Sequence, residues 1–390
     1  MKILVILSRV PYPLEKGDKL RAYHQLKALH KTHEVILCCL SDTQPHPNAE
    51  KALREISSQF HIFKLKRWRI YFNLLFGIFS RKPMQVIYFY QRKAHKAIQE
   101  LIDSENPDHI YCQLIRTAEY AKNEHNYKKT LDYQDAFSKG VERREQKASW
   151  PLREIFRMER RRLIAYENII FEYFEAKTII SAEDRRFIYH PERHDIAVIT
   201  NGIDTAFFTP KYKKPKTHDL VFTGNMSYPP NIETAEFIVS QILPELQKHK
   251  PDISLLLAGS SPHKRVLHLA KTKGVEVSGW MDDIRDAYAH GRIFLAPMQI
   301  GTGLQNKLLE AMAMELPCVT SHLANRSLKA ENHKELLVGE DVNSYVARIL
   351  KLLESDAERS KIGKAGRIFV QNRFSWEKSV AKLEELMVSC

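Results

Sequence analysis

Lys307 and Glu310 stand three residues apart, just after a glycine-containing turn formed by Gly301, Thr302 and Gly303. The turn follows an apolar run, RIFLAPM, and leads into a segment with helical spacing. Glycines let backbone N–H groups approach a phosphate closely, and a helix N-terminus adds positive potential there. An ammonium at this position could neutralise a diphosphate as it leaves. A carboxylate three residues later shares the same helix face and could accept hydrogen bonds from vicinal ribose hydroxyls.

The same spacing also fits an ordinary surface pair on an amphipathic helix, whose buried side would be Leu308, Leu309, Met312 and Ala313. Spacing alone slightly favours this surface pair over a ligand-binding pair. No G-x-x-x-x-G-K-[ST] occurs, and no G-x-G-x-x-G follows the first predicted strand, which argues against a Walker A loop and a nicotinamide-binding domain. The 17 histidines show no H-E-x-x-H or similar spacing, so we expect no metal site.

Length and composition restrict the class of protein. A chain of 390 residues exceeds what one hydrophobic core usually serves, so two domains are expected. The net charge of +13 favours anionic partners, which include phosphate-bearing ligands, nucleic acid and acidic membranes. Five cysteines without a C-x-x-C pair predict neither a disulfide framework nor structural zinc, and indicate a reducing cytoplasm. No uncharged apolar run reaches about 18 residues, so no membrane-spanning helix is predicted.

Predicted strands and helices alternate along the whole chain. KILVILSRVPYP, KGDKLRAYHQLKALHKTH and EVILCCLS form a β-α-β unit, which implies a parallel sheet. Further units follow, together with a long helical stretch from about Val141 to Glu175. The run KYKKPKTH has the composition of a linker, and DLVFTGN begins a second alternating series after it. We therefore predict two doubly wound α/β halves that are joined near residue 210.

One region departs from this pattern. Residues 56–99 contain no Asp or Glu but nine Lys and Arg and ten aromatic residues. Such a region could lie on an anionic membrane or accept a lipid-linked substrate. It could equally form one or two buried helices with a solvated basic edge, because Trp68, Phe72, Phe76 and Phe79 fit one helix face in either setting.

Several segments in order resemble the family-four retaining glycosyltransferases. LLEAMAMELPCVTS resembles the family's donor-site signature, TNGIDTAFFTP its approach to the inter-domain linker, and FTGNMSYPPNIE the first strand and loop of its donor domain. RVPYPLEKGDKLRAYHQLKAL resembles the opening of a subgroup associated with exopolysaccharide and exosortase loci. These segments span residues 1 to about 375, so the resemblance covers nearly the whole chain.

The resemblance implies a GT-B fold, in which two Rossmann-like domains face a cleft. It implies an acceptor-side domain over residues 1–210, with the terminal helix 375–390 packing back on it, and a donor-binding domain over 211–374. The expected activity is hexosyl transfer, with retention, from a nucleotide sugar to a glycan or lipid-linked acceptor in cell-surface polysaccharide synthesis. The nucleotide sugar is then a substrate, and no metal or other cofactor is expected.

The resemblance also assigns site residues. Lys307 and Glu310 are the expected catalytic pair, and they bind the donor with five residues of two loops: Gly224, Asn225, Gly301, Thr302 and Gly303. On the acceptor side the resemblance indicates the turn at Gly17 and Asp18, which Arg21 flanks. Asp132 and Asp135, at the end of the predicted strand KKTLDYQD, are further candidates for acceptor contact. From the residues themselves, Asp18 also suits a helix N-cap and Asp132 a turn, so these roles stay open.

Three departures from the family pattern affect these expectations. Thr302 stands where most relatives have a second Glu, which normally faces the donor sugar or its phosphate. The loop from Gly224 to Tyr228 lacks the basic residues that are frequent there, so Lys307 becomes the main expected phosphate cation. Gln113 occupies a position near which many relatives place a His, and no general base is assigned.

Two other functions are compatible with the sequence. A nucleotide-sugar epimerase of the same fold would need no acceptor. A basic nucleic-acid-binding protein would fit the charge, but no recognised binding motif supports it, and we expect no nucleic-acid partner. The preferred location is cytoplasmic, with a peripheral position on the inner face of the membrane if residues 56–99 lie on lipid rather than form buried helices.

Overall fold

A computed structural model describes residues 1–14, 16–212, 214–300 and 303–390, without the side chain of Lys147. The chain divides into two compact units. The first unit comprises residues 1–200 and 376–390, and the second comprises residues 201–375.

The first unit is built on a parallel sheet. Its strands are β1 Lys2–Leu7, β2 Glu34–Ser41, β3 Gln59–Lys64, β4 His109–Gln113, β5 Lys128–Asp132, β6 Ala176–Ile179 and β7 Ala197–Val198. They lie side by side in the order β3-β2-β1-β4-β5-β6-β7. The strand order reverses between β1 and β4, which are direct parallel neighbours with Ile3 opposite His109.

Helices cover the two faces of this sheet. They are α1 Gly17–Leu29, α2 Ala49–Arg54, α3 Arg67–Gly77, α4 Met84–Phe89, α5 Arg92–Glu105, α6 Phe137–Lys147, α7 Leu152–Phe171, α8 Ala182–Arg185 and, from the end of the chain, the helix Trp376–Ser389. Short 3₁₀ turns occur at Ala118–Tyr120 and Arg193–Asp195. Alternate side chains of β1 point to opposite faces, so Leu4 and Ile6 join one apolar core and Ile3 and Val5 join the other.

The terminal helix Trp376–Ser389 packs against α1. The Trp376 ring stacks on His24 with 5.0 Å between centroids, and Thr32 donates a hydrogen bond to Glu384 over 2.9 Å. Val380, Leu383 and other apolar side chains of this helix are buried in the core beneath α1. The last helix is thus an integral layer of the first unit.

The predicted helical stretch from Val141 to Glu175 is wrong in detail, because it is two helices, α6 and α7. Pro151 separates them. A proline has no N–H to donate, and its ring disfavours helical geometry at the residue before it, here Trp150. The chain leaves the helical conformation at Ala148 and resumes it at Leu152.

The second unit has a smaller parallel sheet. Its strands are β8 His218–Thr223, β9 Leu255–Ala258, β10 Val275–Gly279, β11 Gly291–Ala296, β12 Cys318–Ser321 and β13 Leu337–Gly339, in the order β10-β9-β8-β11-β12-β13. The order reverses between β8 and β11. Ligands of doubly wound sheets bind outside the carboxyl ends of the strands at such a reversal.

The helices of this unit are α9 Pro229–Phe237, α10 Leu243–His249, α11 Lys264–Leu269, α12 Ile284–His290, α13 Asn306–Ala313, α14 His322–Leu328, α15 Val342–Glu354 and α16 Asp356–Arg373. A π-helical turn, Ile238–Ile242, joins α9 to α10. The segment just before β8 packs with the second unit, since Ile203 and Phe208 lie in its core. The predicted division into two doubly wound α/β halves is confirmed.

Candidate functional site

The helix α13 holds Lys307 and Glu310 at the reversal point of the second sheet. It follows β11, and its inner side is formed by Leu308, Leu309 and Met312, which are buried in the core. These apolar contacts fix the helix and leave Lys307 and Glu310 half-buried on another face. Both charged side chains are therefore partly withdrawn from solvent, on a helix whose apolar side is buried as the surface-pair interpretation also predicted.

Lys307 is held by a partner from a distant part of the unit. Its Nζ donates a hydrogen bond to Asn231 Oδ1 over 2.5 Å and lies 4.5 Å from the centre of the Phe222 ring. Burial lowers the pKa of Lys307 to about 7, and the Glu310 carboxylate acts in the opposite direction. An ammonium has three donors, so two remain for an anion after the bond to Asn231 is made.

Gly224 gives Lys307 and Asn231 the space that they occupy. A Cβ at Gly224 would lie 2.6 Å from Asn231 Nδ2 and 3.1 Å from Lys307 Nζ. Asn231 cannot easily move, because it is buried and its Nδ2 also donates to the Asn225 carbonyl over 2.8 Å. The φ of Gly224 is also 153°, which disfavours a side chain. A glycine at the end of β8 is thus required by the packing around the ammonium.

Glu310 is oriented by a hydroxyl chain. The Tyr288 hydroxyl on α12 donates to Glu310 Oε2 over 2.5 Å, and Thr223 Oγ1 lies 2.8 Å from the same hydroxyl. A phenol has a single O–H, so the Thr223 hydroxyl is then the donor to Tyr288. Burial raises the pKa of Glu310, while the Tyr288 hydrogen bond and the Lys307 charge counteract it. Among the described residues, Oε1 of Glu310 has no hydrogen-bond partner and can accept from a ligand.

The other predicted donor residues are at loops of the same unit. Asn225 Oδ1 accepts from the Ser227 N–H over 2.9 Å and the Ser227 hydroxyl over 2.7 Å, so this amide stabilises its own turn. Gly303 has a φ of 77°, a left-handed conformation that suits glycine. Gly301 and Thr302 lie outside the described residues.

In the first unit, Gly17 and Asp18 begin α1 at the carboxyl end of β1. Gly17 is exposed, and a side chain there would meet no other atom within 4 Å. Asp18 does not cap the helix with its side chain. Its Oδ2 instead accepts from Arg9 Nη1 over 2.7 Å.

Arg21 and Asp132 have a different character, since both side chains are fully buried. Arg21 Nε donates to Asp132 Oδ2 over 2.6 Å, and Nη1 donates to the Ile199 carbonyl over 2.9 Å. Asp132 also accepts from Tyr111 over 3.0 Å and from Thr178 over 2.8 Å. This network ties α1 to β4, β5 and β6, and neither charge reaches solvent. Any influence of the two residues on an acceptor would act through positioning.

Several residues of these networks were not predicted from the sequence. Asn231 and Tyr288 contact the predicted pair but lie 76 and 22 residues away in the chain. In the first unit, Arg116 lies over the Phe137 ring at 4.8 Å, and burial together with Arg9 lowers its pKa to about 10. No spacing rule brings such partners together, although Asn231 does lie within the quoted FTGNMSYPPNIE segment.

No group of three or more His, Cys, Asp and Glu side chains that could hold a metal ion occurs in the described ranges. Likewise, none of the helices described there is long and apolar enough to cross a membrane.

Comparison with known proteins connects this geometry to an enzyme class. The family of "Glycosyl transferases group 1" matches residues 217–355, which include Lys307 and Glu310. The chain is 22% identical over 398 residues to an "Uncharacterized 44.6 kDa protein in cps region" of Klebsiella pneumoniae, covering 97% of each. It is 25% identical over 211 residues to a GDP-mannose-dependent monoacylated alpha-(1-6)-phosphatidylinositol monomannoside mannosyltransferase of Corynebacterium glutamicum, covering 49% of this chain and 55% of that protein.

Solved structures share the fold over the full length. Sucrose-phosphate synthase from Thermosynechococcus elongatus superposes with a TM-score of 0.70 at 16% identity, covering 100% of this chain and 99% of that one. Anabaena HepE in complex with UDP and glucose also gives 0.70, at 13% identity and 100% of both chains.

The two parallel sheets have the GT-B fold, and the match to the group 1 glycosyltransferases makes the chain a glycosyltransferase. Within it, the group 1 match lies entirely in the second unit and contains the Lys307–Glu310 helix. The predictions of fold and of enzyme class are confirmed.

Proposed function

We propose that this enzyme transfers a hexosyl group, with retention of configuration, from a nucleotide sugar to a glycan or lipid-linked acceptor in cell-surface polysaccharide synthesis. The observation that carries the proposal is the pair of half-buried charges on α13, each held by one protein partner and each with free hydrogen-bonding capacity. The cps region in the name of the Klebsiella relative supports a role in polysaccharide synthesis. Membership of the exopolysaccharide-type subgroup is proposed from the opening segment of the sequence alone.

In this proposal Lys307 binds the diphosphate of the donor. Its two remaining N–H donors and its low-dielectric surroundings make it a strong anion ligand, because charge interactions are weakly screened there. The N-terminus of α13 adds positive potential beside it. A nucleoside diphosphate is the donor class that fits, and the UDP complex of the Anabaena structure supports that choice.

Glu310 accepts hydrogen bonds from the ribose hydroxyls. Tyr288 occupies Oε2, so Oε1 is directed to the ligand. Gly224, Asn225, Gly301, Thr302 and Gly303 complete the donor-binding residues in this proposal. The second unit is then the donor domain.

During transfer, the bond between the anomeric carbon and the diphosphate oxygen breaks, and its electron pair stays on the diphosphate. Lys307 stabilises the charge that develops there, which lowers the barrier. The acceptor hydroxyl oxygen forms the new bond to the anomeric carbon on the same face, and its proton passes to the departing diphosphate oxygen. No step in this scheme uses a metal.

The first unit binds the acceptor in this proposal. The turn at Gly17 and Asp18 contributes directly, and the Arg21–Asp132 pair positions it, because Arg21 lies one turn along α1. Arg116 and Arg9 add positive charge at the same end of the sheet, which suits an acceptor that carries phosphate. The phosphatidylinositol mannoside named for the corynebacterial relative supports a lipid-linked acceptor. We place the enzyme at the cytoplasmic face of a membrane.

The first experiment removes the two α13 charges. Lys307→Ala and Glu310→Ala should each lower turnover at least about 100-fold, the usual scale for loss of one strong transition-state contact. The donor is first identified by screening nucleotide sugars for thermal stabilisation, because a ligand that binds only the folded state raises its stability.

Lys271→Ala is the matched control, since this lysine is exposed in the same unit. Its turnover should equal that of the unmodified enzyme. Near-normal rates in both α13 variants would refute the site. Product formed from donor alone, without acceptor, would indicate an epimerase instead.

A further inference from the structure

The helix α3 presents its apolar side to solvent. Its inward side has few residues, both apolar and polar: Ile70 and Gly77 are buried, and Asn73 and Leu74 are half-buried. Its outward side, together with Phe79 in the turn that follows, carries six large apolar residues, with exposed fractions from 56% to 89%: Trp68, Tyr71, Phe72, Leu75, Phe76 and Phe79. This is the reverse of the usual amphipathic arrangement, in which the polar face of a surface helix meets water.

The exposed face is large. An aromatic side chain offers about 150–250 Å² of surface, so six partly exposed residues present roughly 600 Å² of apolar area. Monomeric proteins rarely expose contiguous apolar patches beyond a few hundred Å², and larger ones mark sites of interaction. Trp68, Phe72, Leu75, Phe76 and Phe79 follow the three- and four-residue spacing of one helix face, so the residues form one surface.

The helix is fixed in this orientation by specific contacts on its inner side. Asn73 donates to the Tyr90 carbonyl over 2.9 Å. Arg162 of α7 donates to the Gly77 carbonyl over 2.9 Å. Gly77 lies so close to Ile87 that a Cβ there would approach its side chain to 2.8 Å. A rotation that buried the aromatic face would break all three contacts.

Positive charge is concentrated in the segments that flank α3 in the sequence. Residues 56–99 contain no acidic residue, and six cations in and around α3 are exposed and form no ion pair in the described part of the chain: Lys64, Lys66, Arg67, Arg81, Arg92 and Lys93. An apolar face with an unpaired basic border is complementary to a surface that is apolar inside and anionic at its edge.

We propose that the outward face of α3, residues 68–79 with its basic border, docks on an anionic lipid bilayer. Trp, Tyr and Phe enter the boundary between headgroups and acyl chains, and the lysines and arginines contact lipid phosphates. An 11-residue helix is about 16 Å long, roughly half of the hydrocarbon thickness, so α3 lies along the surface. This extends the proposed membrane location to a defined surface, and its test does not depend on transfer activity.

Lipid fits this surface better than a second copy of the chain. A symmetric dimer would place the same patch against itself and bring like charges of both borders together, with no acidic residue in the region to compensate. A bilayer with anionic lipid supplies the opposite charge to the basic residues near its surface.

The test is co-sedimentation of the full chain with vesicles of phosphatidylcholine alone and of phosphatidylcholine with one quarter phosphatidylglycerol. The unmodified protein should sediment with the anionic vesicles and remain largely free of the neutral ones. Phe72→Ser/Phe76→Ser should lower the bound fraction at least about tenfold, because two aromatic side chains that enter the bilayer are replaced by small polar ones.

Ile368→Ser is the matched control, since Ile368 is also exposed on a helix but belongs to the second unit. It should bind vesicles like the unmodified protein. A second pair compares Arg67→Glu/Arg81→Glu with Lys271→Glu/Lys361→Glu, which changes net charge equally. Only Arg67→Glu/Arg81→Glu should lose vesicle binding. Its melting temperature should match that of Lys271→Glu/Lys361→Glu.

Three outcomes would overturn the proposal. The unmodified protein could fail to sediment with anionic vesicles, or the α3 variants could bind these vesicles as well as their controls do. The protein could also form dimers in lipid-free buffer that Phe72→Ser/Phe76→Ser abolishes, which would identify a second copy as the occupant. Lys307→Ala should bind vesicles normally, so failure of the donor site and failure of this surface are distinguishable.

Discussion

Two charged pairs, one in each unit, differ in how completely the protein satisfies them. Arg21 and Asp132 are fully buried and make several hydrogen bonds to each other and to β4, β6 and a backbone carbonyl. Lys307 and Glu310 are half-buried, and each has one polar protein partner among the described residues. A buried charge whose hydrogen bonds are made within the protein holds its elements together and is costly to leave without its partner. A charge kept partly desolvated with capacity to spare can bind a ligand.

The largest effect should come from breaking the satisfied pair. Arg21→Met should lower the free energy of unfolding by about 3–5 kcal/mol, because it leaves Asp132 buried without its cation. Chemical denaturation measures the loss. Lys307→Met should lower the free energy of unfolding far less, since burial already disfavours the Lys307 ammonium. Equal losses of unfolding free energy in Arg21→Met and Lys307→Met would contradict the difference between the two charged pairs.

The double variant Arg21→Met/Asp132→Asn is the control for this prediction. Removing both charges takes away the uncompensated carboxylate, so part of the lost stability should return. A double variant less stable than Arg21→Met would mean that the carboxylate's bonds to Tyr111 and Thr178 outweigh its charge.

The next effect concerns how Glu310 is oriented. Tyr288→Phe removes a hydrogen bond to a charged group, typically about 1.5–3 kcal/mol, so affinity for the nucleoside diphosphate should fall about tenfold or more. Calorimetry with the nucleotide and with its 2′,3′-dideoxy analogue measures the change. The loss should vanish for the analogue, which has no ribose hydroxyls for Glu310 to bind. A loss of the same size with both ligands would place the effect elsewhere in the fold.

The smallest effect is the pH dependence of donor binding. With a pKa of about 7 in the free enzyme, Lys307 is about half protonated at pH 7 and about one-tenth protonated at pH 8. Since a diphosphate prefers the charged form, affinity should fall about fivefold between these values and further above them. Nucleotide affinity measured from pH 6 to pH 9 tests this. Lys307→Arg stays charged and should show no such fall.

Stability should depend on pH in the opposite direction. The folded-state pKa of Lys307 lies below its value of about 10.4 in the unfolded chain, so the unfolded state binds more protons between pH 7 and pH 10. The contribution of this residue to the free energy of unfolding therefore rises with pH in that window. Lys307→Met should remove this contribution, which denaturation at pH 7 and pH 9 can detect.

The sequence predicted best those features that depend on local pattern. Alternating strands and helices predicted two doubly wound halves, and the turn-helix pattern predicted that Lys307 and Glu310 share a face. Burial was not predictable for Arg21 and Asp132, because polar residues at element ends suit a ligand site as well as an internal pair. Asn231 and Tyr288 meet the α13 pair only through the order of the strands, which joins segments far apart in sequence.

The orientation of α3 likewise depends on contacts with segments far away in the sequence, so the sequence did not predict it. Composition revealed a basic, aromatic region but was equally compatible with buried helices. Which side faces inward depends on Asn73, Gly77 and the reach of Arg162 from another helix, none of which has a recognisable spacing. The four aromatic residues singled out from the sequence are exposed, so the buried alternative does not describe them.

Docking through α3 would change how the enzyme encounters its acceptor. A protein held on a bilayer meets lipid-linked acceptors in two dimensions, where the effective concentration of a dilute lipid is far higher than in bulk water. Weak acceptor binding then suffices, and a product lipid can leave quickly while the enzyme stays in place. Under these proposals the exposed aromatic face, a liability for solubility in water, would let a low-affinity acceptor site work efficiently.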